Sequence, residues 1–290
     1  MSEPTSSAPA GVEPETVERC LATLRRAPAG LVTDIDGTIS AIAPTPAEAV
    51  VEEPARRALR RLAERLALVA VMSGRAAAVG AAMVEVPELI YVGNHGMERS
   101  HRGAAWTHPG AAAGAGALAA ALAEVASAAR EIGRDEGVIV EDKGLSGTVH
   151  YRLAPDPEAA RAFLLPLAVA AANRHGLVVT EGRLIVELRP NVVVNKGTAV
   201  VDLVAEHRLR GIVFLGDDLT DVDAFVALRT LREAGEVAAL RVGVLGAETP
   251  PRVREEIDVA VRGVPACVAL LAAVAEGLAA EAVGSAPAPG

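Results

Sequence analysis

Aromatic residues are nearly missing from this chain: one Trp, two Tyr and three Phe in 290 residues, against a hydrophobic content of 51%. The interior must therefore be built from Ala, Val and Leu. Only two cysteines occur, Cys20 and Cys267, with neither metal-ligand spacing nor a partner motif, which argues against a thiolate metal site or a disulfide scaffold. No apolar run is expected to span a bilayer, because Glu and Arg interrupt the Ala-rich stretches. No charged-then-apolar leader opens the chain; Met1 to Pro14 is polar, acidic and Pro-containing. The net charge of −9 argues against general nucleic-acid binding and against an anionic membrane surface. The expectation is a soluble cytoplasmic protein. Lysine is scarce as well: of 28 basic residues, only Lys143 and Lys196 are lysines. A compact ammonium does what a planar guanidinium cannot, so both positions draw notice.

What is present begins with Leu31-Val32-Thr33-Asp34-Ile35-Asp36-Gly37-Thr38. An apolar run reads as a buried strand that ends in two carboxylates at i and i+2, a relation that points both the same way on extended backbone. Such a pair can hold a hard cation, or let one carboxylate attack while the other moves a proton. Further along, Ala67 to Met72 reads as a strand ending in Ser73-Gly74-Arg75, and Leu89 to Val92 as one ending in Gly93-Asn94-His95-Gly96. A helix over 15–26 precedes the first strand, and helices over 53–65 and 76–83 lie between the strands. This alternation predicts a parallel sheet with crossover helices, whose chemistry collects at the carboxyl ends of the strands.

The pattern then changes. Residues 103–116 read as a Gly/Ala-rich connector and 117–132 as a helix. Strands follow at 137–141 and 148–153, a helix at 157–175, and strands at 177–180 and 184–188. This order predicts an inserted antiparallel α+β unit. The parallel pattern resumes with a helix at 196–207 and a strand at 212–215, ending in Gly216-Asp217-Asp218-Leu219-Thr220-Asp221. A strand at 241–244 and a helix at 265–282 close the reading.

Carboxylates at neighbouring strand ends repel one another unless a divalent cation neutralises them. Oxygen ligands without clustered His or Cys point to Mg²⁺ rather than Zn²⁺. Ser73 and Lys196 add a hydroxyl and a cation at helix mouths, which suit phosphate. The inventory fits Mg²⁺-assisted phosphoryl transfer through an aspartyl-phosphate.

Four motifs, Asp34-Ile35-Asp36-Gly37-Thr38, Ser73, Lys196 and Gly216-Asp217-Asp218 with Asp221, resemble those of the haloacid dehalogenase superfamily of phosphatases. Together with Ser73-Gly74-Arg75, Asn94-His95-Gly96, Glu141-Asp142-Lys143, His150-Tyr151-Arg152 and Glu187-Leu188-Arg189-Pro190, the chain resembles the trehalose-6-phosphate phosphatases from about Leu31 to Val264. The resemblance implies an α/β fold: a Rossmann-like parallel-sheet core over 15–102 and 190–283 with an inserted α+β cap over 103–189. Segments 1–14 and 284–290 are expected to be disordered and flexible. It implies Asp34 as nucleophile and Asp36 as general acid/base, with Ser73 and Lys196 on the phosphoryl oxygens. Mg²⁺ would be held by Asp34, Asp36 through its carbonyl, and Asp217, with Asp221 in support. The sugar would be read by Arg75, Asn94, His95, Glu141, Lys143, Arg152 and Glu187. The implied substrate is trehalose 6-phosphate, with a functional link to trehalose-6-phosphate synthase.

Alternatives stay open at this level. Arg75 either reads substrate or closes a salt bridge at a helix mouth, and His95 either orders its loop or approaches the sugar. His150 either orients its neighbours or joins the site, while Asp218 and Asp223 serve as support or surface. Val222 stands where the family commonly has Glu, which leaves another sugar phosphate as a second candidate substrate. A catalytically silent partner of a sugar-phosphate synthase would lack a catalytic carboxylate or the motif lysine, and neither is lost here.

Overall fold

The computed structural model describes residues 12–247 and 249–284. In chain order the elements are α1 (Pro14–Leu24), β1 (Ala29–Thr33), α2 (Glu53–Ala63), β2 (Leu68–Met72), α3 (Ala77–Val84) and β3 (Ile90–Gly93). Then come β4 (Glu98–His101), β5 (Ala104–Thr107), α4 (Pro109–Glu131), β6 (Ile139–Asp142), β7 (Gly147–His150), α5 (Pro157–His175), β8 (Leu177–Gly182) and β9 (Ile185–Pro190). The last are α6 (Lys196–Glu206), β10 (Gly211–Gly216), α7 (Leu219–Glu233), β11 (Ala238–Leu245), α8 (Pro251–Glu256), β12 (Val259–Arg262) and α9 (Gly263–Gly284).

An eight-stranded sheet in the order β12-β11-β10-β1-β2-β3-β4-β5 organises the larger layer, parallel except for the β4–β5 hairpin. Its central strands are buried throughout and almost wholly apolar because both faces are covered. Alternation sorts them: Leu31, Val213 and Leu215 pack with α1, α2 and α9, while Val32, Ile212 and Phe214 pack with α6 and α7. In α2, Ala55, Ala58, Leu59 and Leu62 are buried at helical spacing, leaving Arg57, Arg60 and Arg61 outward. Aromatic packing is confined to small touches such as the T-shaped Phe214–Phe225 pair at 5.6 Å.

The insert carries its own four-stranded sheet, β6-β7-β9-β8. Its outer face is covered by α4 and α5 through Leu118, Leu122, Val125, Leu164, Val149, Val186 and Leu188. Its inner face is polar and turns to the carboxyl ends of β1, β2 and β10.

Several elements differ from expectation. The β4–β5 hairpin extends the large sheet where the sequence suggests a connector, and the expected junction at 102/103 falls inside it. Helix α4 begins at Pro109 rather than 117: the His108 side chain accepts from the Gly110 and Ala111 N–H groups, and the many alanines offset the glycines. Gly114 is there for space, since a Cβ would lie 2.9 Å from Pro190 Cγ. The reading assigns nothing to α7, α8 or β12.

Helix α4 and residues Gly263–Glu281 of α9 are long and apolar enough, by length and composition, to cross a membrane, which corrects the expectation that no run reaches that length. Too few charges interrupt either helix to lower its hydropathy. In this fold their apolar faces lie in the cores, through Leu118 and Val125 of α4 and Leu270, Leu271 and Val274 of α9. The expected disordered and flexible ends fall mainly on residues 1–11 and 285–290, outside the described residues. Val12 is buried in the core and Pro14 opens α1.

Candidate active site

The parallel ladder carries the first carboxylate into place. Asp34 N–H donates to Leu215 O at 2.9 Å, one step past the end of β1. Ile35 O then accepts from Thr38, Ile39 and Ser40, folding the following residues into a tight loop. Gly37 sits at φ +88, and a Cβ there would collide with the Asp217 carboxylate. Thr38 Oγ1 donates to Asp217 Oδ1 at 3.1 Å, tying this loop to the end of β10.

Asp34, Asp217 and Asp221 are buried, and each offers an oxygen within 4.8 Å of the others. Lys196, 2% exposed at the start of α6, reaches Asp34 Oδ1 at 2.7 Å and Asp221 Oδ1 at 2.6 Å. The other Asp221 oxygen accepts from the Asp217 and Asp218 backbone N–H groups at 2.9 and 3.1 Å. Burial opposes the Lys196 charge, but Asp221 and Asp34 outweigh it and raise its pKa above the ordinary value. Burial pushes Asp34 well above the usual carboxylate range; Lys196 works against this while Asp221, Asp217 and Asp36 add to it. Asp217 is pushed up to about 7, by burial and then by Asp221 and Asp218. Three buried carboxylates crowded around one ammonium therefore resist being ionised together, a tension that a further cation would relieve. An all-oxygen set crowded in this way fits a hard divalent cation.

The second carboxylate behaves differently. Asp36 is half-exposed and gripped by Arg75, whose Nε and Nη2 donate to its two oxygens at 2.7 and 2.8 Å. Arg75 Nη1 also donates to Pro46 O at 3.0 Å. The Ser73 hydroxyl accepts from the Arg75 N–H. Asn94 N–H and His95 N–H donate to Arg75 O and Ser73 O, so the loops after β2 and β3 brace each other. Both Asn94 and His95 hold positive φ, 48° and 57°.

The insert closes over this edge. Glu187, on β9, is met by His95 Nε2 at 3.2 Å, Lys143 Nζ at 3.4 Å and Ser146 Oγ at 3.2 Å. Burial opposes its ionisation, but His95 and Lys143 outweigh that and hold its carboxyl well below the usual range. His150 Nε2 lies 2.8 Å from Glu141, whose pKa is lowered by that bond and by Lys143 despite burial. Ser146 Oγ donates to Asn94 Oδ1 at 2.8 Å, joining the two layers. Arg183, at the β8–β9 turn, places Nη2 3.6 Å from Asp217 Oδ2, and its carbonyl accepts from Arg152 at 3.2 Å.

One cavity of about 380 Å³ gathers Asp34, Asp36, Ser73, Arg75, His95, Glu141, Lys143, Arg152, Glu187 and Lys196. That size is ordinary for a small-molecule site, roughly 300–1,000 Å³. Asn94 lies behind its wall, fully buried, donating to Glu98 Oε1 at 2.7 Å and binding Ser146. Val222 packs into the core beside Phe225, while Leu219, Thr220 and Asp223 of the same helix line the cavity. Val222 itself does not line the cavity. Sequence reasoning missed Arg183; of the two readings open for Arg75, the salt bridge is the one seen here, with Asp36 as its partner.

The model of the family described as trehalose-phosphatase matches residues 32–248. A trehalose-phosphate phosphatase of Mycobacterium avium (strain 104) is 39% identical over 203 residues, 68% of this chain and 50% of that protein. One from Mycobacterium tuberculosis (strain ATCC 25618 / H37Rv) is 33% identical over 239 residues, 78% and 59% of the two chains. The chain thus spans about half the length of the curated relatives it matches. Among solved structures, the Candida albicans trehalose-6-phosphate phosphatase C-terminal domain aligns with a TM-score of 0.74 at 21% identity, over 94% of this chain and 99% of that one. A trehalose-6-phosphate phosphatase related protein aligns with a TM-score of 0.71 at 21% identity, over 87% and 99%. These structures share the fold.

Proposed function

The chain belongs to the trehalose-phosphatase family, and from that premise we propose that it is a Mg²⁺-dependent phosphatase hydrolysing trehalose 6-phosphate to trehalose and phosphate. The observation that carries this reading is the convergence of both residue sets, Asp34, Asp36, Ser73 and Lys196 from the core and Glu141, Lys143, Arg152 and Glu187 from the insert, on one cavity.

In this account the insert over 103–189 is a cap and the remainder, 15–102 and 190–283, the phosphatase core. Asp34 attacks phosphorus and takes the phosphoryl group, while Asp36 gives a proton to the departing sugar oxygen. Asp36 then removes a proton from the water that hydrolyses the aspartyl-phosphate. Lys196 fixes the Asp34 carboxylate, and with Ser73 it binds phosphoryl oxygens, where charge stabilisation is the larger contribution. Asp34, Asp217 and the Asp36 carbonyl would hold the cation, with Asp221 supporting; when bound, it neutralises these carboxylates and the phosphoryl oxygens. Glu141, Lys143, Arg152 and Glu187 read the sugar, because carboxylates and cations match hydroxyls that both donate and accept. The Asn94–Ser146 and His95–Glu187 contacts support a cap that closes and excludes water.

The substrate ties the enzyme functionally to a trehalose-6-phosphate synthase. The packing of α4 and α9 into the cores supports a protein that does not span a membrane, and we read its setting as cytoplasmic. Phosphate release from trehalose 6-phosphate tests the reading. We expect turnover with Mg²⁺, its loss in EDTA, and its loss in Asp34→Asn; an active Asp34→Asn variant would overturn the mechanism.

A further inference from the structure

The inner face of the cap sheet carries a polar row that the family resemblance explains only in part. Glu141 lies opposite Thr148, Thr148 opposite Glu187, and Glu187 opposite Thr180, across β6, β7, β9 and β8. Directly opposed residues share a face at close Cβ separation. All four line the cavity.

Their bonding differs. Glu141 has His150, and Glu187 has His95, Lys143 and Ser146. Thr148 is fully buried, and its Oγ1 has no hydrogen-bond partner among the described residues. A buried hydroxyl without a partner is a standing penalty that valine, of the same shape, would avoid. A β-branched residue suits this strand position, but nothing in the packing calls for the oxygen. The missing partner must come from the cavity side, since the opposite face of β7 is the Val149 core.

We infer that Thr148 reads a sugar hydroxyl, an inference that rests on the sugar-phosphate reading of this cavity. The flanking carboxylates of Glu141 and Glu187 can only accept. A sugar hydroxyl that donates to either one turns its own lone pairs toward Thr148, whose O–H donates back. Thr148 is thus a specificity-determining residue that selects for a hydroxyl between the two carboxylates and against an analogue lacking it.

The test compares Thr148→Val and Thr148→Ser with wild type. The substrates are p-nitrophenyl phosphate, which has no sugar, and whichever sugar phosphate the wild type hydrolyses fastest. Thr148→Val is expected to raise KM for the sugar phosphate about ten-fold, with kcat within about two-fold, as loss of one neutral hydrogen bond implies. Turnover of p-nitrophenyl phosphate should be unchanged, and Thr148→Ser should recover most of the KM. Without ligand, Thr148→Val should melt at or above the wild-type temperature. An unchanged sugar-phosphate KM, an equal loss on p-nitrophenyl phosphate, or a lowered melting temperature would each overturn the inference. If the best substrate is not trehalose 6-phosphate, the substrate reading fails while Thr148 is still tested on the sugar that is used. If no sugar phosphate is hydrolysed, both fall.

Discussion

Arg75 and Asp36 form a two-pronged pair, with Nε on Oδ2 at 2.7 Å and Nη2 on Oδ1 at 2.8 Å. The guanidinium, braced on Pro46 O, sets the position of the carboxylate proposed to move the proton. Lysine cannot reproduce that fork. Arg75→Lys should therefore lower kcat on trehalose 6-phosphate by on the order of ten- to a hundred-fold. The effect should be smaller on p-nitrophenyl phosphate, whose leaving group needs little protonation. Steady-state kinetics on both substrates checks this, and equal losses would separate Arg75 from the proton step.

Lys196 is the ammonium inside the carboxylate cluster. Replacing it with Met leaves Asp34 and Asp221 buried without their counter-charge, a change that removes about 3–5 kcal/mol from stability. Urea unfolding at neutral pH in EDTA measures it. A loss under about 1 kcal/mol, the scale of an exposed pair, would show that the cluster is not held together by this residue.

Glu187 gives the pH dependence. Burial disfavours its charge, yet His95 and Lys143 depress its pKa in the folded protein below the ordinary value of 4.5. A depressed carboxyl contributes stability that is present above the ordinary value and is lost as pH falls toward the folded one. Wild type should therefore lose stability below about pH 4.5 more steeply than Glu187→Gln. Parallel unfolding curves between pH 6 and pH 3 would remove Glu187 from the account.

Arg183 links the inserted sheet to the cluster through Asp217 at 3.6 Å. Arg183→Ala should loosen the closed arrangement, raising hydrogen exchange at the β8–β9 turn and lowering kcat/KM on trehalose 6-phosphate about ten-fold. Unchanged exchange with unchanged kinetics would make the contact incidental.

Much of this site was legible because it sits on central strands. Leu31 to Val32 and Ile212 to Leu215 are apolar on both faces, so the Asp residues that follow mark strand ends without any tertiary information. The two lysines stood out against an arginine background, and both line the cavity. What stayed hidden depends on through-space contact or on weak local patterning. Glu98 to His101 and Ala104 to Thr107 are half-exposed or exposed throughout, so no period-2 burial signal betrays their hairpin. Arg183 is one turn residue among many until β8 and β9 aim it at Asp217. Arg75 and Asp36 are 39 positions apart, and only the adjacency of β1 and β2 pairs them.

The central claim is the substrate, and the direct measurement is kcat/KM with Mg²⁺ for trehalose 6-phosphate beside glucose 6-phosphate, sucrose 6-phosphate and glucosyl- or mannosyl-linked phosphates. The account predicts that trehalose 6-phosphate is preferred by at least about a hundred-fold, on the order of two lost or unpaired hydrogen bonds in the cap. Equal or better turnover of any other member of that panel would contradict it.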